Sequence, residues 1–226
     1  MNRNFEITTV EAHIQGQYLV DTPVTKRPAP LLVGFHGYGE NAARHLAELR
    51  RLPGASQWLL VSVDALHRFY RQRHGTVVGS WMTRENREAA IAHNTTYVKS
   101  VVEKVMESWP TSGTLVFAGF SQGVAMAYRA AAGCGLRCHG IIALAGDVPP
   151  ELADTPSKAW PPVLVARGQD DAWYTQAKME QDLRILGDAA DSIVFAGGHE
   201  WSDEFRHAAG AFLARCQAST TNEAPE

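Results

Sequence analysis

Residues 116–126 read VFAGFSQGVAM, an apolar run that enters Gly119-Phe120-Ser121-Gln122-Gly123 and continues into small apolar residues. Five residues decide the fold. A strand that ends in G-x-S-x-G and passes at once into a helix makes a turn too tight for side chains at its flanks. The glycines relieve that crowding, and the serine hydroxyl is presented above the sheet edge. The amides of the following helix aim at the same place, which favours negative charge there. Read blandly, the same residues make a glycine-flanked turn with an idle serine, and the rest of the chain has to choose.

Working outward from this turn, short apolar runs alternate with amphipathic stretches from about residue 30. That is the pattern of strand and helix units building a mostly parallel sheet with helices on both faces. Strands are expected at 30–37, 58–65, 114–121, 140–146, 162–168 and 192–198, nearly all continuous apolar runs as in strands covered on both sides. Helices are expected at 40–51, within 84–108, and at 122–132, 175–186 and 202–216, the last with Ser202 as N-cap. Residues 5–21 alternate loosely and suit an antiparallel edge hairpin. The 226 residues then form one α/β domain over 1–216, followed by a disordered tail at 217–226.

A serine hydroxyl is a weak nucleophile until a base takes its proton, so the turn calls for a histidine and for a carboxylate to hold that histidine's tautomer. Both stand at strand ends downstream. The 162–168 strand runs into Asp170 and Asp171, and the 192–198 strand into His199. Spacing alone leaves the two aspartates as alternatives. The order Ser, Asp, His along the chain is that of α/β-hydrolases. A developing oxyanion needs two amide donors. One is that of Gln122, after the serine; the other is that of Tyr38, within Phe35-His36-Gly37-Tyr38-Gly39 at the end of the first parallel strand.

The combination FHGYGEN, GFSQG, G-x-x-D at 168–171 and GGH at 197–199 resembles the phospholipase/carboxylesterase family of α/β-hydrolases, which includes acyl-protein thioesterases. The resemblance spans residues 30–215. It implies Ser121 as nucleophile, His199 as base, Asp171 as acid, and Tyr38 and Gln122 as oxyanion donors, with Ser80-Trp81 beside the substrate. Departures stand at Val124, Glu40 and Trp173-Tyr174, which bear on acyl preference.

The expected activity is hydrolysis of carboxylic esters or thioesters through an acyl-enzyme, with no cofactor and no metal. The alternatives are the same triad acting on a peptide or lactone bond, and an idle binding protein on the same scaffold. Cys134, Cys138 and Cys216 lack zinc-site spacing and read as reduced thiols. A formal charge of −3 gives no pull toward nucleic acid. No apolar run approaches a membrane span, and the first residues lack a secretion signal, so a cytoplasmic location and a small-molecule partner are expected. The oligomeric state is not legible. Trp81, Trp173 and Trp201 stand at the motif ends, where ligand pockets of such sheets form; Trp81 and Trp201 are the expected substrate-binding aromatics, with Trp201 as the foremost wall. Arg68, Arg71 and Arg73, in the basic loop LHRFYRQRHG, either face solvent or meet an anionic group on the substrate.

Overall fold

The computed structural model describes residues 6–10, 12–24, 27–71, 75–156 and 159–223. Its core is a seven-stranded sheet of β1 (Tyr18–Asp21), β2 (Ala29–Phe35), β3 (Leu59–Val63), β6 (Thr111–Phe120), β7 (Gly140–Leu144), β8 (Val163–Gly168) and β9 (Ala190–Phe195), in the spatial order β1-β3-β2-β6-β7-β8-β9. Only β1 runs antiparallel, against β3. Residues 6–17 form no strand opposite it among those described, so β1 pairs with β3 and makes no edge hairpin.

Every residue of β2, β3, β7 and β8 is buried, because helices cover both faces of the sheet. Alternate residues of one strand feed two separate cores. Leu31, Val33 and Phe35 pack with α2 (Arg87–Ser108), α3 (Gln122–Gly133) and α4 (Gln176–Leu186). Leu32 faces α1 (Ala42–Leu49) and α5 (Asp203–Glu223). Local signals set the helix starts: the Asn41 side chain accepts the Arg44 N–H, and Ser202 Oγ accepts the Phe205 N–H at 3.0 Å.

Two further stretches differ from expectation. Helix α5 continues to Glu223, through residues expected to be disordered, and in its last turns Ser219 and Thr220 donate to the carbonyls of Arg215 and Cys216. The polar composition of 217–223 concealed that these residues extend an already nucleated helix, where each added residue is ordered cheaply. The basic stretch opens on a strand, β4 (His67–Tyr70), which pairs antiparallel with β5 (Val77–Ser80) beyond it. Among the described residues, no helix is long and apolar enough to cross a membrane.

The strand order positions the site. After β2 the chain goes to β3 on one side and later returns to β6 on the other. The carboxyl ends of β2 and β6 therefore flank a crevice, the place where open α/β sheets bind ligands.

Candidate active site

Four strand ends deliver the site. Strand β6 ends at Phe120, and Ser121 follows with φ 54° and ψ −122°, a strained backbone for a residue with a side chain. The strain persists because the surroundings leave no alternative. The Ser121 N–H donates to Leu144 O at 2.9 Å, and its carbonyl accepts the Val124 N–H at 3.0 Å. A methyl group on Gly123 would overlap the Phe35 carbonyl oxygen, and one on Gly146 would stand 2.5 Å from the Ser121 carbonyl oxygen. Only glycine fits at these two approaches.

Strand β8 ends at Gly168 and hands over to Asp171, which is 4% exposed. Strand β9 ends at Phe195 and leads to His199. His199 Nε2 lies 2.8 Å from Ser121 Oγ, and its Nδ1 lies 2.8 Å from Asp171 Oδ2. Asp171 Oδ1 accepts the N–H groups of Trp173 at 2.8 Å and Tyr174 at 2.9 Å, so the carboxylate is held at both oxygens. Asp170 is exposed, and its N–H is bonded to Gly197 O. Of the two aspartates that spacing left open, Asp171 is the one bonded to His199. A proton can pass from the serine to the imidazole within this chain of hydrogen bonds.

The end of β2 supplies the opposite wall. His36 is fully buried; its Nδ1 donates to Gly37 O at 2.7 Å and its Nε2 accepts the Ala65 N–H at 3.1 Å, and burial lowers its pKa. Glu40 accepts the Gly37 N–H and shapes the loop carrying Tyr38. The Tyr38 ring is exposed and leans on Phe69. Its N–H has no acceptor among the described residues, and the Gln122 N–H opens the first turn of α3, where helix amides lack intrahelical partners. The Gln122 side chain is occupied: Oε1 accepts the Trp81 N–H at 2.9 Å and Nε2 donates to Met82 O at 3.1 Å.

A cavity of about 390 Å³ opens beside Ser121 and His199. Its wall includes Met82, Arg87, Arg129, Trp173, Tyr174 and Lys178. Trp81 and Trp201 do not line it. Trp81 is 0% exposed; its ring packs on Phe35 and its Nε1 donates to His36 O. The expectation that it walls the substrate is corrected: it belongs to the core and fixes the Gln122 segment. Trp201 sits behind the site, against Phe120, His45 and Phe205. Trp173, 76% exposed, is the tryptophan at the cavity.

The arginines are likewise rearranged. Arg68 donates to Gln17 Oε1 and Gln15 O, tying the β4–β5 pair to the segment before β1, and neither Arg68 nor Arg71 lines the cavity. Arg73 lies outside the described residues. Arg87 and Arg129 line the cavity instead. Arg129 was detectable as the lone charged residue of the apolar helix QGVAMAYRAAAG.

Among the described residues, no group of three or more His, Cys, Asp or Glu side chains is arranged to hold a metal ion. A search of curated proteins finds no match. Many solved structures share the fold. Esterase PE8 superposes with a TM-score of 0.70 at 22% identity, over 90% of this chain and 100% of that one. A phospholipase/carboxylesterase from Dyadobacter fermentans DSM 18053 gives 0.67 at 19%, over 88% and 97%. SOBER1 of Arabidopsis thaliana gives 0.69 at 17%, over 84% and 99%. At these identities the likeness speaks for the fold. The sequence model of the Phospholipase/Carboxylesterase family matches residues 20–181, well over half of the chain and including the Ser121 turn and Asp171. With the Ser121 turn, the strand order and this match in agreement, the chain belongs to the phospholipase/carboxylesterase family of α/β-hydrolases.

Proposed function

We propose that the protein is a serine hydrolase that cleaves carboxylic esters or thioesters through an acyl-enzyme. The observation that carries this reading is the unbroken chain from Ser121 Oγ through His199 to Asp171, with 2.8 Å at each link. In the tautomer that suits it, His199 Nδ1–H donates to Asp171 and Nε2 accepts from Ser121.

As Oγ attacks the carbonyl carbon, its proton moves to Nε2 and the carbonyl electron pair becomes an oxyanion, received by the N–H groups of Tyr38 and Gln122. Collapse expels the alkoxide or thiolate, which takes the proton from His199. Water then attacks the acyl-enzyme by the same route in reverse roles. Asp171, anchored by two backbone amides, orients the imidazole throughout. No step calls for a metal or cofactor, and the expected cytoplasmic location and small-molecule partner remain part of the proposal.

A fluorophosphonate probe tests it. The serine oxygen bonds to phosphorus and fluoride departs, leaving a stable adduct. Labelling at Ser121 is expected, with none in Ser121→Ala. An unlabelled wild-type protein, or labelling at another residue, overturns the reading.

A further inference from the structure

The cavity beside Ser121 has a charged wall that the hydrolytic chemistry does not use. Arg129, on α3, has a side chain only 4% exposed. Its Nε and Nη2 both bond Glu151 Oε1 at 2.7 Å. The other carboxylate oxygen, Oε2, takes Arg87 Nη2 at 2.7 Å. One carboxylate thus serves two guanidinium groups. Their remaining Nη1 groups converge on Met82 Sδ, from Arg87 at 3.2 Å and from Arg129 at 3.8 Å. A thioether sulfur is a weak acceptor. Two guanidinium donors beside the cavity therefore meet a sulfur where a charged oxygen would bind far better.

Both positions are costly for a cation. Arg87 is the first residue of α2, where the helix dipole disfavours positive charge. Arg129 is buried, and burial lowers its pKa against the restoring pull of Glu151. Across the cavity Lys178 pairs with Asp147 at 3.0 Å. Arg87 and Arg129 share the one carboxylate of Glu151, an excess of one positive charge at this end of the wall.

We propose that Arg87 and Arg129 form an anion subsite that takes a carboxylate carried by the ester or thioester substrate, several bonds from the scissile carbonyl. This rests on the hydrolase reading above. The single excess charge favours a monoanionic carboxylate over a phosphate. Arg129 lies eight residues beyond Ser121 on the same helix, a rise of about 12 Å, and helical side chains lean toward the N-terminus. That leaves on the order of 5–10 Å between the guanidinium and the reacting carbon. An ester of a short dicarboxylic acid spans such a gap. Met82, unbranched and flexible, can withdraw its sulfur as the carboxylate enters.

The test compares three aryl esters of equal chain length: the monoaryl ester of adipic acid, with a free carboxylate; its neutral carboxamide counterpart; and a phosphonate-ended counterpart. Wild-type kcat/KM is expected to favour carboxylate over carboxamide roughly ten- to hundredfold, as charge-assisted hydrogen bonds provide. Arg87→Gln and Arg129→Gln should each bring the ratio toward one, and Arg129→Lys should retain part of it. Because the ratio is internal to each variant, partial loss of folded protein does not disturb it, and the half-exposed Arg87 guards against failure of the buried site.

A second readout needs no turnover. Calorimetric titration of Ser121→Ala with monomethyl adipate should show binding that Arg129→Gln, added in the same background, weakens at least tenfold. If no ester is hydrolysed the hydrolase reading fails, and the titration still decides the subsite. A wild-type ratio near one, binding untouched by Arg129→Gln, or a ratio that collapses only when Arg68, Arg71 and Arg73 are neutralised would each overturn the proposal. A preference for the phosphonate would replace the carboxylate by phosphate.

Discussion

Arg167 Nε donates to the Tyr174 carbonyl at 3.0 Å, and the N–H of the same tyrosine donates to Asp171. The buried guanidinium also reaches Gln169 O and Gln176 Oε1, so it spans the whole loop from the end of β8 to the start of α4. Asp171 is therefore held by a loop that is braced by a residue outside the cavity lining. Arg167→Met should lower kcat for a simple aryl ester by about tenfold or more, with a smaller change in KM, because in the proposed mechanism misplacing Asp171 slows chemistry more than binding. Arg167→Lys should recover part of the loss. An unchanged kcat in Arg167→Met would show that the loop holds its shape without the brace.

The adjacent acids should respond very differently. In Asp171→Asn the amide oxygen can keep the Trp173 and Tyr174 N–H bonds, which leaves the NH2 group facing His199 Nδ1. The imidazole must then carry its proton on Nε2, where it cannot accept from Ser121. Turnover should fall by roughly 10³–10⁴. Asp170→Asn alters only an exposed side chain and should stay within about twofold on that account. Steady-state kinetics on one aryl ester rank the two, and the reverse order would move the acid to Asp170.

The strands and the Ser121 turn were legible because their signals are local. A continuous apolar run marks a buried strand, and a glycine-flanked serine before a helix marks one specific turn. Asp171 and His199 could be found because strand ends in a parallel sheet gather at one edge, whatever their separation in sequence. The wall of the cavity had no such signature. Trp81 and Trp173 are equally aromatic and equally near a motif, yet one is sealed beneath Gln122 and the other stands at the opening. That difference depends on how β5 meets α3, a contact between distant segments. Arg68 drew notice through its basic neighbours, whereas Arg129 stands as a lone charge in an apolar helix, and only the fold shows that it lines the cavity beside Ser121.

Gly123 shows how closely β2 and α3 approach. Its Cβ position is taken by the Phe35 carbonyl, a backbone group that cannot step aside without shifting the strand. Gly123→Ala should destabilise the fold by about 1–3 kcal/mol. The surviving folded protein should also be slow, since the displaced helix carries Ser121 and the Gln122 amide away from the Tyr38 loop. Denaturant unfolding and kcat measured on the same preparation check both effects. A variant of native stability and full activity would show that the two elements separate freely.

Stability itself should depend on pH through Asp182. This residue is 3% exposed; it accepts the Tyr174 hydroxyl at 2.7 Å and the Val148 N–H at 3.2 Å. Burial pushes its pKa up from 3.8 to about 6, and the like charge of Asp147 adds to the rise against the pull of both hydrogen bonds and of Lys178. Since the folded state holds this proton more tightly than the unfolded chain does, the group favours folding most at acidic pH. Its contribution is lost as pH rises from about 4 through about 6, by at most about 3 kcal/mol. Asparagine at this position has no charge to bury and still offers an oxygen to Val148 and Tyr174. Denaturation midpoints across that window should fall with rising pH in the wild type more steeply than in Asp182→Asn. Because Tyr174 also holds Asp171, the same ionisation acts on an element that reaches the active site. Parallel pH profiles for the two proteins would mean that the carboxylate is ionised as readily in the fold as in the unfolded chain.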